Sequence, residues 1–241
     1  MDSFQFDLEE MKRHDAEAER RFPGPDYRQV LRWLHEHLRP RVYVEIGVLR
    51  GDTMLLANPD TVAVGVDPAA DVQAPLPRNA RLFRMTSDDF FQREELDAIC
   101  ASDSLGLAFV DGLHLFEQVI RDVHGLMDYA GPETIVALHD TVPLNAETST
   151  RVRRTEFHTG DVWKAVVYLR AHWPELRVLT IPAAPTGITL LRGFGARQTA
   201  TPDGALLSRI AALDWPYFEQ HHTRFLNLGL NEQAALHSFC Q

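Results

Sequence analysis

The 241-residue chain contains only two cysteines, Cys100 and Cys240. They lie too far apart in the sequence to form the closely spaced thiol pairs that bind zinc or carry out redox chemistry. So few cysteines are typical of proteins from a reducing compartment. We therefore expect a cytoplasmic protein held together by its hydrophobic core, since 45% of its residues are apolar.

Positive charge and long apolar runs are also scarce. The chain has 24 lysines and arginines against 34 acidic residues, so its net charge is −10. Nucleic-acid binding requires a basic surface that meets phosphates, and this charge argues against nucleic acid as the main partner. No apolar run is long enough to cross a bilayer. The charged N-terminal stretch MDSFQFDLEEMKRHDAEAERRF does not resemble a signal peptide. We expect no membrane partner.

The sequence does contain a regular alternation of apolar and amphipathic segments. The apolar segments that we predict to be strands are 42–47, 61–67, 80–85, 107–111 and 134–139, followed by 177–181 and 187–192. Continuous apolar strands separated by helices are typical of a parallel sheet that helices cover on both faces. The last two strands are joined only by PAAPT, which is too short for a crossover helix, so they are predicted to form an antiparallel hairpin.

Helical spacing predicts the elements around these strands. The predicted helices are 6–22, 26–38, 52–58, 88–100, 115–130, 160–169 with Asp161 as N-cap, and the tail 203–241. We divide the chain into N-terminal helices (1–40), a central α/β domain (41–194) and a C-terminal helical tail (195–241). Aromatic residues within 215–225 are expected to pack the tail on the domain or on a second subunit. A homo-oligomer is therefore kept as an alternative to a monomer.

A glycine turn follows the first predicted strand, in VEIGVLRGDT (44–53). Gly47 and Gly51 would let the backbone approach a ligand closely, and Asp52 or Thr53 would cap the next helix. Asp67 ends the second strand about 20 residues later, where an acid commonly binds ribose hydroxyls. The glycines lack the G-x-G-x-x-G spacing that holds a pyrophosphate. A cofactor with a ribose and no pyrophosphate, such as S-adenosylmethionine, fits this pattern.

Ionisable residues end the fourth and fifth strands, in FVDGLHLFEQVIRDV (109–123) and IVALHDT (135–141). If these strands are neighbours, Asp111, His139 and Asp140 converge. Two carboxylates and an imidazole suit Mg²⁺ or another divalent cation, which would lower the pKa of a substrate hydroxyl. Alternatively, His114 or His139 takes the hydroxyl proton without a metal. His114 could also simply cap the following helix. The predicted catalytic residues are Asp111, His114 and His139.

A long polar loop, 141–160, follows the fifth strand, and long loops in compact domains are often functional. Its basic residues are Arg151, Arg153, Arg154 and His158. They would close the loop over an acidic or polyhydroxyl substrate, or else the loop is simply solvated. Trp163 and Lys164 begin the next helix and would face either the pocket or the core.

Four motifs, VEIGVLRGDT, VGVDP, FVDGLHLFEQVIRDV and IVALHDT, resemble in order and spacing those of class I S-adenosylmethionine-dependent methyltransferases. The chain is most similar to the macrocin-type and cephalosporin-hydroxylase-type small-molecule O-methyltransferases, over about residues 26–194. The resemblance implies an α/β fold with a Rossmann-like, doubly wound, seven-stranded sheet in three αβα layers. This sheet is mostly parallel, with an antiparallel C-terminal hairpin.

The resemblance also implies roles for individual residues. Glu45 and Gly47 would lie near the methionine part of the cofactor, and Asp67 would hold the ribose. Ser87 and Asp88 follow the third strand, where the family places its adenine contacts. The full predicted cofactor-binding set is Glu45, Gly47, Gly51, Thr53, Asp67, Ser87, Asp88 and Asp111. Some relatives bind a metal through three acids at these strand ends; Asp111 and Asp140 match two of those positions, and His139 stands at the third.

We therefore predict an S-adenosylmethionine-dependent O-methyltransferase that acts on a hydroxyl of a small molecule, such as a sugar or a natural-product scaffold. One alternative is an NAD(P)-dependent Rossmann oxidoreductase, which the glycine spacing and the terminal hairpin disfavour. Another is a non-catalytic cofactor-binding protein, which the ionisable residues at two strand ends disfavour.

Overall fold

The structure is a computed structural model that describes residues 7–100, 105–195 and 202–241. Its strands are β1 (Val42–Ile46), β2 (Val62–Val66), β3 (Ala80–Phe83), β4 (Leu105–Val110), β5 (Ala130–His139), β6 (Arg177–Ile181) and β7 (Ile188–Arg192). They form one sheet in the order β3-β2-β1-β4-β5-β7-β6. Strands β1 to β5 pair in parallel, and β7 is antiparallel to both β5 and β6. The predicted C-terminal hairpin is confirmed.

The helices are α1 (Leu8–Arg21), α2 (Tyr27–Leu38), α3 (Ser87–Gln92), α4 (Phe116–Met127), α5 (Trp163–His172), α6 (Gly204–Ala211), α7 (Trp215–Leu226) and α8 (Gln233–Cys240). Alternate side chains of β1 join different hydrophobic clusters: Val42 and Val44 pack in one and Tyr43 in the other. Because successive strand residues point to opposite faces, apolar layers cover both faces of the sheet. The predicted Rossmann-like, three-layer fold is confirmed.

The strand order places the candidate site. The chain moves outward from β1 through β2 to β3, then returns to the other side of β1 with β4. In such sheets, ligands bind at the carboxyl ends of the strands beside this reversal. The ends of β1, β4 and β5 therefore meet where the sequence places its glycine turn and its ionisable residues.

The N-terminal helices follow local capping rules. Asp7 accepts hydrogen bonds from the backbone N–H groups of Glu9 and Glu10 and begins α1. Asp26 and Gln29 form a reciprocal capping box at the start of α2. Helix α1 buries only Ala18, whereas α2 buries a full apolar stripe against the sheet. Helix α1 is therefore a charged, largely exposed element that lies over the site end of the fold.

Several predicted helices are shorter than expected or begin elsewhere. The segment 52–58 forms only a single 3₁₀ turn, Met54–Leu56, and the predicted helix 88–100 reduces to α3. Asp161 does not cap α5, because its carboxylate instead accepts hydrogen bonds from the Phe116 N–H and the Arg151 guanidinium. These tertiary partners replace the local cap that the sequence predicted.

The C-terminal tail contacts helix α5 through aromatic rings. The Trp163 ring lies 5.3 Å from that of Phe218 and 5.6 Å from that of Phe225. All three residues are buried, so Trp163 belongs to the core. The division into 1–40, 41–194 and 195–241 stays a prediction, and its residues 1–6, 101–104 and 196–201 lie outside the described part. In the described residues, no helix is both long and apolar enough to cross a membrane.

His35, on helix α2, provides a test of core electrostatics. It is fully buried against the edge of Tyr43, and neither ring nitrogen has a hydrogen-bond partner among the described residues. Burial lowers the pKa of His35 to about 4. The unfolded chain binds this proton near pH 6.5, so stability is fully present above that pH and is lost as the pH falls towards 4.

We expect this histidine to cost the folded protein about 2 kcal/mol at pH 5 relative to pH 7.5. Urea unfolding at both pH values should show that His35→Phe removes this loss. His37→Gln, at an exposed position of the same helix, should keep it. Equal pH dependence in His35→Phe and the unaltered protein would contradict the assignment.

Candidate active site

A cavity of about 710 Å³ opens at the carboxyl ends of the strands. The ends of β1, β2, β4 and β5 contribute Gly47, Asp67, Asp111 and His139 to its wall. The loop after β5 contributes further residues, including His158. The strand ends that the sequence singled out therefore surround one cavity.

Gly47 forms the closest contact between the first and fourth strands. Its φ is +88°, which favours glycine, and a Cβ built on it would lie 2.0 Å from the carbonyl oxygen of Asp111. The N–H of Asp111 donates to the carbonyl of Ile46 at 2.8 Å. Only a glycine at this position lets the turn after β1 lie against the backbone of Asp111.

Asp67 anchors the glycine turn and lines the cavity. Its Oδ2 accepts hydrogen bonds from the N–H groups of Val48 and Leu49 at 2.9 and 2.8 Å, and its Oδ1 accepts from the Ala69 N–H at 2.7 Å. A carboxylate has about four acceptor positions, so capacity remains for a ligand. The acid at the end of β2 thus fixes the turn and faces the cavity.

Glu45, Gly51 and Thr53 are absent from the cavity wall. Glu45 is fully buried and accepts hydrogen bonds from Tyr43 Oη at 2.6 Å and from Thr53 Oγ1 at 2.7 Å. Burial raises the pKa of Glu45 to about 8. Gly51 has φ +84° and packs near Val72. These residues support the turn from beneath.

A polar network lies where the sequence placed Ser87 and Asp88; Ser87, Gln118 and Asp122 are buried in it, and Asp88 is exposed. Ser87 Oγ donates to Asp122 Oδ1 at 2.6 Å, and Gln118 Nε2 donates to Ser87 Oγ, Asp88 Oδ1 and Asp122 Oδ1 at 2.9–3.1 Å. Burial raises the pKa of Asp122 to about 6, against the lowering effect of these hydrogen bonds. Since the proton of Ser87 is committed to Asp122, Ser87 and Asp88 present acceptors to the cavity.

The part that Gln118 and Asp122 play in this network was not predicted from the sequence. Both lie on α4, whose apolar stripe was interpreted as core. The available signal was their i, i+4 spacing within a helix that is otherwise buried, because buried polar groups need hydrogen-bond partners.

His139 is held between two carboxylates. Its Nδ1 lies 3.2 Å from Asp111 Oδ1 and 3.4 Å from Asp140 Oδ1. Each of the three residues offers a metal-binding atom, and these atoms all lie within 4.8 Å of one another. Asp140 has φ +59°, and its Oδ1 also accepts a hydrogen bond from Thr186 Oγ1 at 2.6 Å. The structure thus brings the predicted metal residues together.

The charges of this cluster reinforce one another. Burial by itself would lower the pKa of His139, but the carboxylates of Asp111 and Asp140 raise it well above its usual value. Burial opposes ionisation of Asp140, yet His139 and His114 hold its pKa below the ordinary range. Without a metal ion, His139 is therefore an imidazolium whose single positive charge offsets part of the negative charge of the two carboxylates.

His114 belongs to the same cluster and does not cap α4, whose N-cap is Leu115. Its Nδ1 donates to the carbonyl oxygen of His158, since a carbonyl can only accept. Its Nε2 then lies 3.2 Å from Asp140 Oδ2 and 3.7 Å from Asp111 Oδ1. The His114 and His158 rings stack with an interplanar angle of 11°. The loop thereby fixes the orientation of His114.

The loop 141–160 is held in shape by three buried threonines, Thr148, Thr155 and Thr159, whose hydroxyls donate to carbonyl oxygens within the loop. Arg151 pairs with Asp161 at 2.6 Å and with Glu117 at 3.1 Å, which gives it a structural partner on each side. Arg153 lines the cavity, but its guanidinium donates to Thr155 O and to Glu156.

Trp163 and Lys164 do not line the cavity. Lys164 Nζ donates to the carbonyl oxygen of Ala211 at 2.9 Å and thereby joins α5 to α6. The sequence left open whether these two side chains face the pocket or the core, and the structure places both away from the pocket.

Residues 44–141 match a protein family described as "Methyltransferase domain". The match runs from β1 to just beyond β5 and so contains the glycine turn, Asp67, Asp111, His139 and Asp140. No curated protein matches the chain at the sequence level.

Two solved structures are similar in fold. Cofactor-bound Rv0187 from MTB is 13% identical, with a TM-score of 0.52 over 79% of this chain and 92% of that one. The O-methyltransferase TomG from Streptomyces achromogenes is 14% identical, with a TM-score of 0.51 over 80% and 92%. At these identities the similarity shows a shared fold. Over residues 44–141 the chain thus resembles a methyltransferase domain, in agreement with the resemblance that the sequence motifs predicted.

Proposed function

We propose that the protein transfers the methyl group of S-adenosylmethionine to a hydroxyl group of a small molecule. The observation that carries the proposal is the cluster of Asp111, His139 and Asp140 in the same cavity as Gly47 and Asp67. The methyltransferase family match supports the reaction class. TomG, one of the structural relatives, was solved in complex with the same cofactor, which supports the choice of donor.

The cavity residues fit this cofactor. Asp67 retains acceptor capacity for ribose hydroxyls, and Ser87 and Asp88 present acceptors to the amino group of adenine. Gly47 and Asp111 would lie beside the reactive methyl group. Glu45, Gly51 and Thr53 would act indirectly, by holding the turn. The predicted cofactor residues thus fall into two groups, those that would contact the cofactor and those that would hold the turn in place.

The donor set also fits a divalent cation. Asp111 and Asp140 supply carboxylate oxygens and His139 an imidazole nitrogen, a set that suits Mg²⁺, Mn²⁺ or a later transition metal. Bound there, a cation would lower the pKa of the acceptor hydroxyl. His139 has to release its proton to become a ligand. The proton and the metal therefore compete for one position.

His114 is the residue best placed to take the hydroxyl proton. Its Nδ1–H is committed to the His158 carbonyl, and its Nε2, which lies 3.2 Å from Asp140 Oδ2 and 3.7 Å from Asp111 Oδ1, accepts the proton when the ring is neutral. These carboxylates stabilise the imidazolium that forms. A cofactor and an acceptor held in this cavity would align for direct displacement at the methyl carbon.

Isothermal titration calorimetry with S-adenosylhomocysteine and with NAD tests the proposal. We expect S-adenosylhomocysteine to bind and NAD to bind at least a hundredfold more weakly, because the turn lacks a pyrophosphate site. Binding of NAD without binding of S-adenosylhomocysteine would favour the oxidoreductase alternative. A cytoplasmic location and a homo-oligomeric state remain predictions from the sequence.

A further inference from the structure

A second cavity of about 570 Å³ adjoins the first and shares His139 and Pro185 with it. Its wall comes from α1, the turn between α1 and α2, the first residues of α2, and the Ala184–Pro185 turn. It therefore reaches the carboxylate–imidazole cluster from the side of the N-terminal helices. A molecule in it would meet a cofactor in the first cavity at the cluster.

The face of α1 towards this cavity carries Asp15, Ala18 and Glu19, followed by Phe22 just past the helix. Their i, i+3, i+4, i+7 spacing defines a single helix face. No lysine or arginine of α1 lines this cavity; Arg21, for example, donates to the carbonyl oxygens of Pro143 and Leu144. Among the described residues, Asp15 and Glu19 have no hydrogen-bond or ion-pair partner. The α1 side of the cavity is therefore acidic.

The α2 side adds one more acid and one cation. Asp26 lines the cavity, as does Arg28. The Arg28 guanidinium lies 3.6 Å from Asp52 Oδ2 and donates to Tyr27 Oη at 3.1 Å. Arg28 is thus already paired, and the other cationic side chain in the wall, His139, is held by Asp111 and Asp140, whereas Asp15, Glu19 and Asp26 add three carboxylates. The field in this cavity favours a positively charged ligand.

A buried atom at the junction of the two cavities independently indicates a ligand. His139 is 7% exposed, and its Nε2 has no hydrogen-bond partner in the described structure. Its Nδ1 faces Asp111 and Asp140, so Nε2 points away from both carboxylates, and the ring, whose centroid lies 4.2 Å from that of Tyr27, is shared by the walls of the two cavities. Buried polar atoms are nearly always hydrogen-bonded, so a polar group of a ligand is the expected partner.

We propose that the second cavity binds the methyl acceptor, and that this acceptor is a hydroxyl compound bearing a protonated amine, of about the size of a mono- or disaccharide. The inference rests on the proposed methyl transfer. The amine would pair with Asp15 and Glu19, while a hydroxyl reaches the cluster beside His139. In the transfer, the acceptor oxygen bonds to the methyl carbon, the methyl–sulfur bond breaks to leave a neutral thioether, and the hydroxyl proton passes to a base of the cluster.

Saturation-transfer NMR on the protein loaded with S-adenosylhomocysteine tests the inference. The probes are two matched pairs: glucosamine with glucose, and neamine with sucrose. We expect the amine-bearing member of each pair to give at least a threefold larger signal. In the double variant Asp15→Asn/Glu19→Gln this preference should disappear. The control Glu9→Gln/Glu17→Gln removes the same charge from α1 away from the cavity wall and should keep it.

The outcomes distinguish failure of the amine-bearing acceptor from failure of the proposed methyl transfer. Equal signals within both pairs, no signal from any probe, or equal loss in the control variant would overturn the amine-bearing acceptor. The NMR measurements use protein whose binding of S-adenosylhomocysteine has first been verified by calorimetry. Failure of that binding would instead overturn the proposed function. Because Asp15 and Glu19 are exposed, the substitutions should leave the fold unchanged, as circular dichroism would verify.

Discussion

Replacing Gly47 with alanine should destabilise the protein by about 3 kcal/mol or more and abolish measurable binding of S-adenosylhomocysteine. The new Cβ would lie 2.0 Å from the Asp111 oxygen, 2.4 Å from its carbonyl carbon and 2.7 Å from Gly112 Cα. All three atoms belong to the backbone, so no side-chain rotation relieves the clash. The ends of β1 and β4 have to separate, and the φ of +88° adds strain.

Urea unfolding and calorimetry measure the two effects. Gly204→Ala provides the matched control, because a Cβ at Gly204, the first residue of α6, would meet no atom within 4 Å. We expect that substitution to change stability by less than about 0.5 kcal/mol and to leave binding intact. If Gly47→Ala matched this control, the turn would not pack against Asp111 as described.

The sequence predicted the strands because each is a short, largely apolar run, and the four that reach the site, 42–47, 61–67, 107–111 and 134–139, end in glycine or in an ionisable residue. It also predicted that Asp111, His139 and Asp140 converge, since carboxyl ends of neighbouring parallel strands share one edge. What it could not predict was the direction of each side chain near that edge. Glu45 lies two residues before Gly47, but its side chain points into a buried network with Tyr43 and Thr53. Alternation along the strand determines which way a side chain points, and near the end of a strand it can be applied only when the last strand residue is known.

Contacts between segments that are distant in the sequence could not be predicted either. The orientation of His114 depends on the carbonyl of His158, 44 residues later, and Asp161 bonds the Phe116 N–H instead of capping its own helix. Local rules assigned Asp161 to a helix cap and offered the same alternative for His114 beside its catalytic role, because they contain no information about a loop that returns across the site. The long loop itself was the only sequence signal that such contacts existed.

Asp140→Asn should lower methyl transfer by at least a hundredfold while leaving the fold and the binding of S-adenosylhomocysteine intact. Asparagine has the same shape, tolerates the φ of +59° at this position, and can still accept the hydrogen bond from Thr186. What it removes is the negative charge beside His139 and His114. Transfer from radiolabelled S-adenosylmethionine to an acceptor found among the amine-bearing compounds measures the effect, with the exposed Asp60→Asn as control.

The same variant separates the two accounts of the cluster. If Asp111, His139 and Asp140 hold a metal, the unaltered protein should bind Mn²⁺, as detected by electron paramagnetic resonance, and Asp140→Asn should weaken that binding at least tenfold because a ligand is lost. If the His139 imidazolium takes the place of the cation, neither protein binds Mn²⁺ and transfer still falls, because Asp140 no longer stabilises the two imidazoles. Full transfer activity in Asp140→Asn would contradict both accounts, since each requires the second carboxylate at the end of β5.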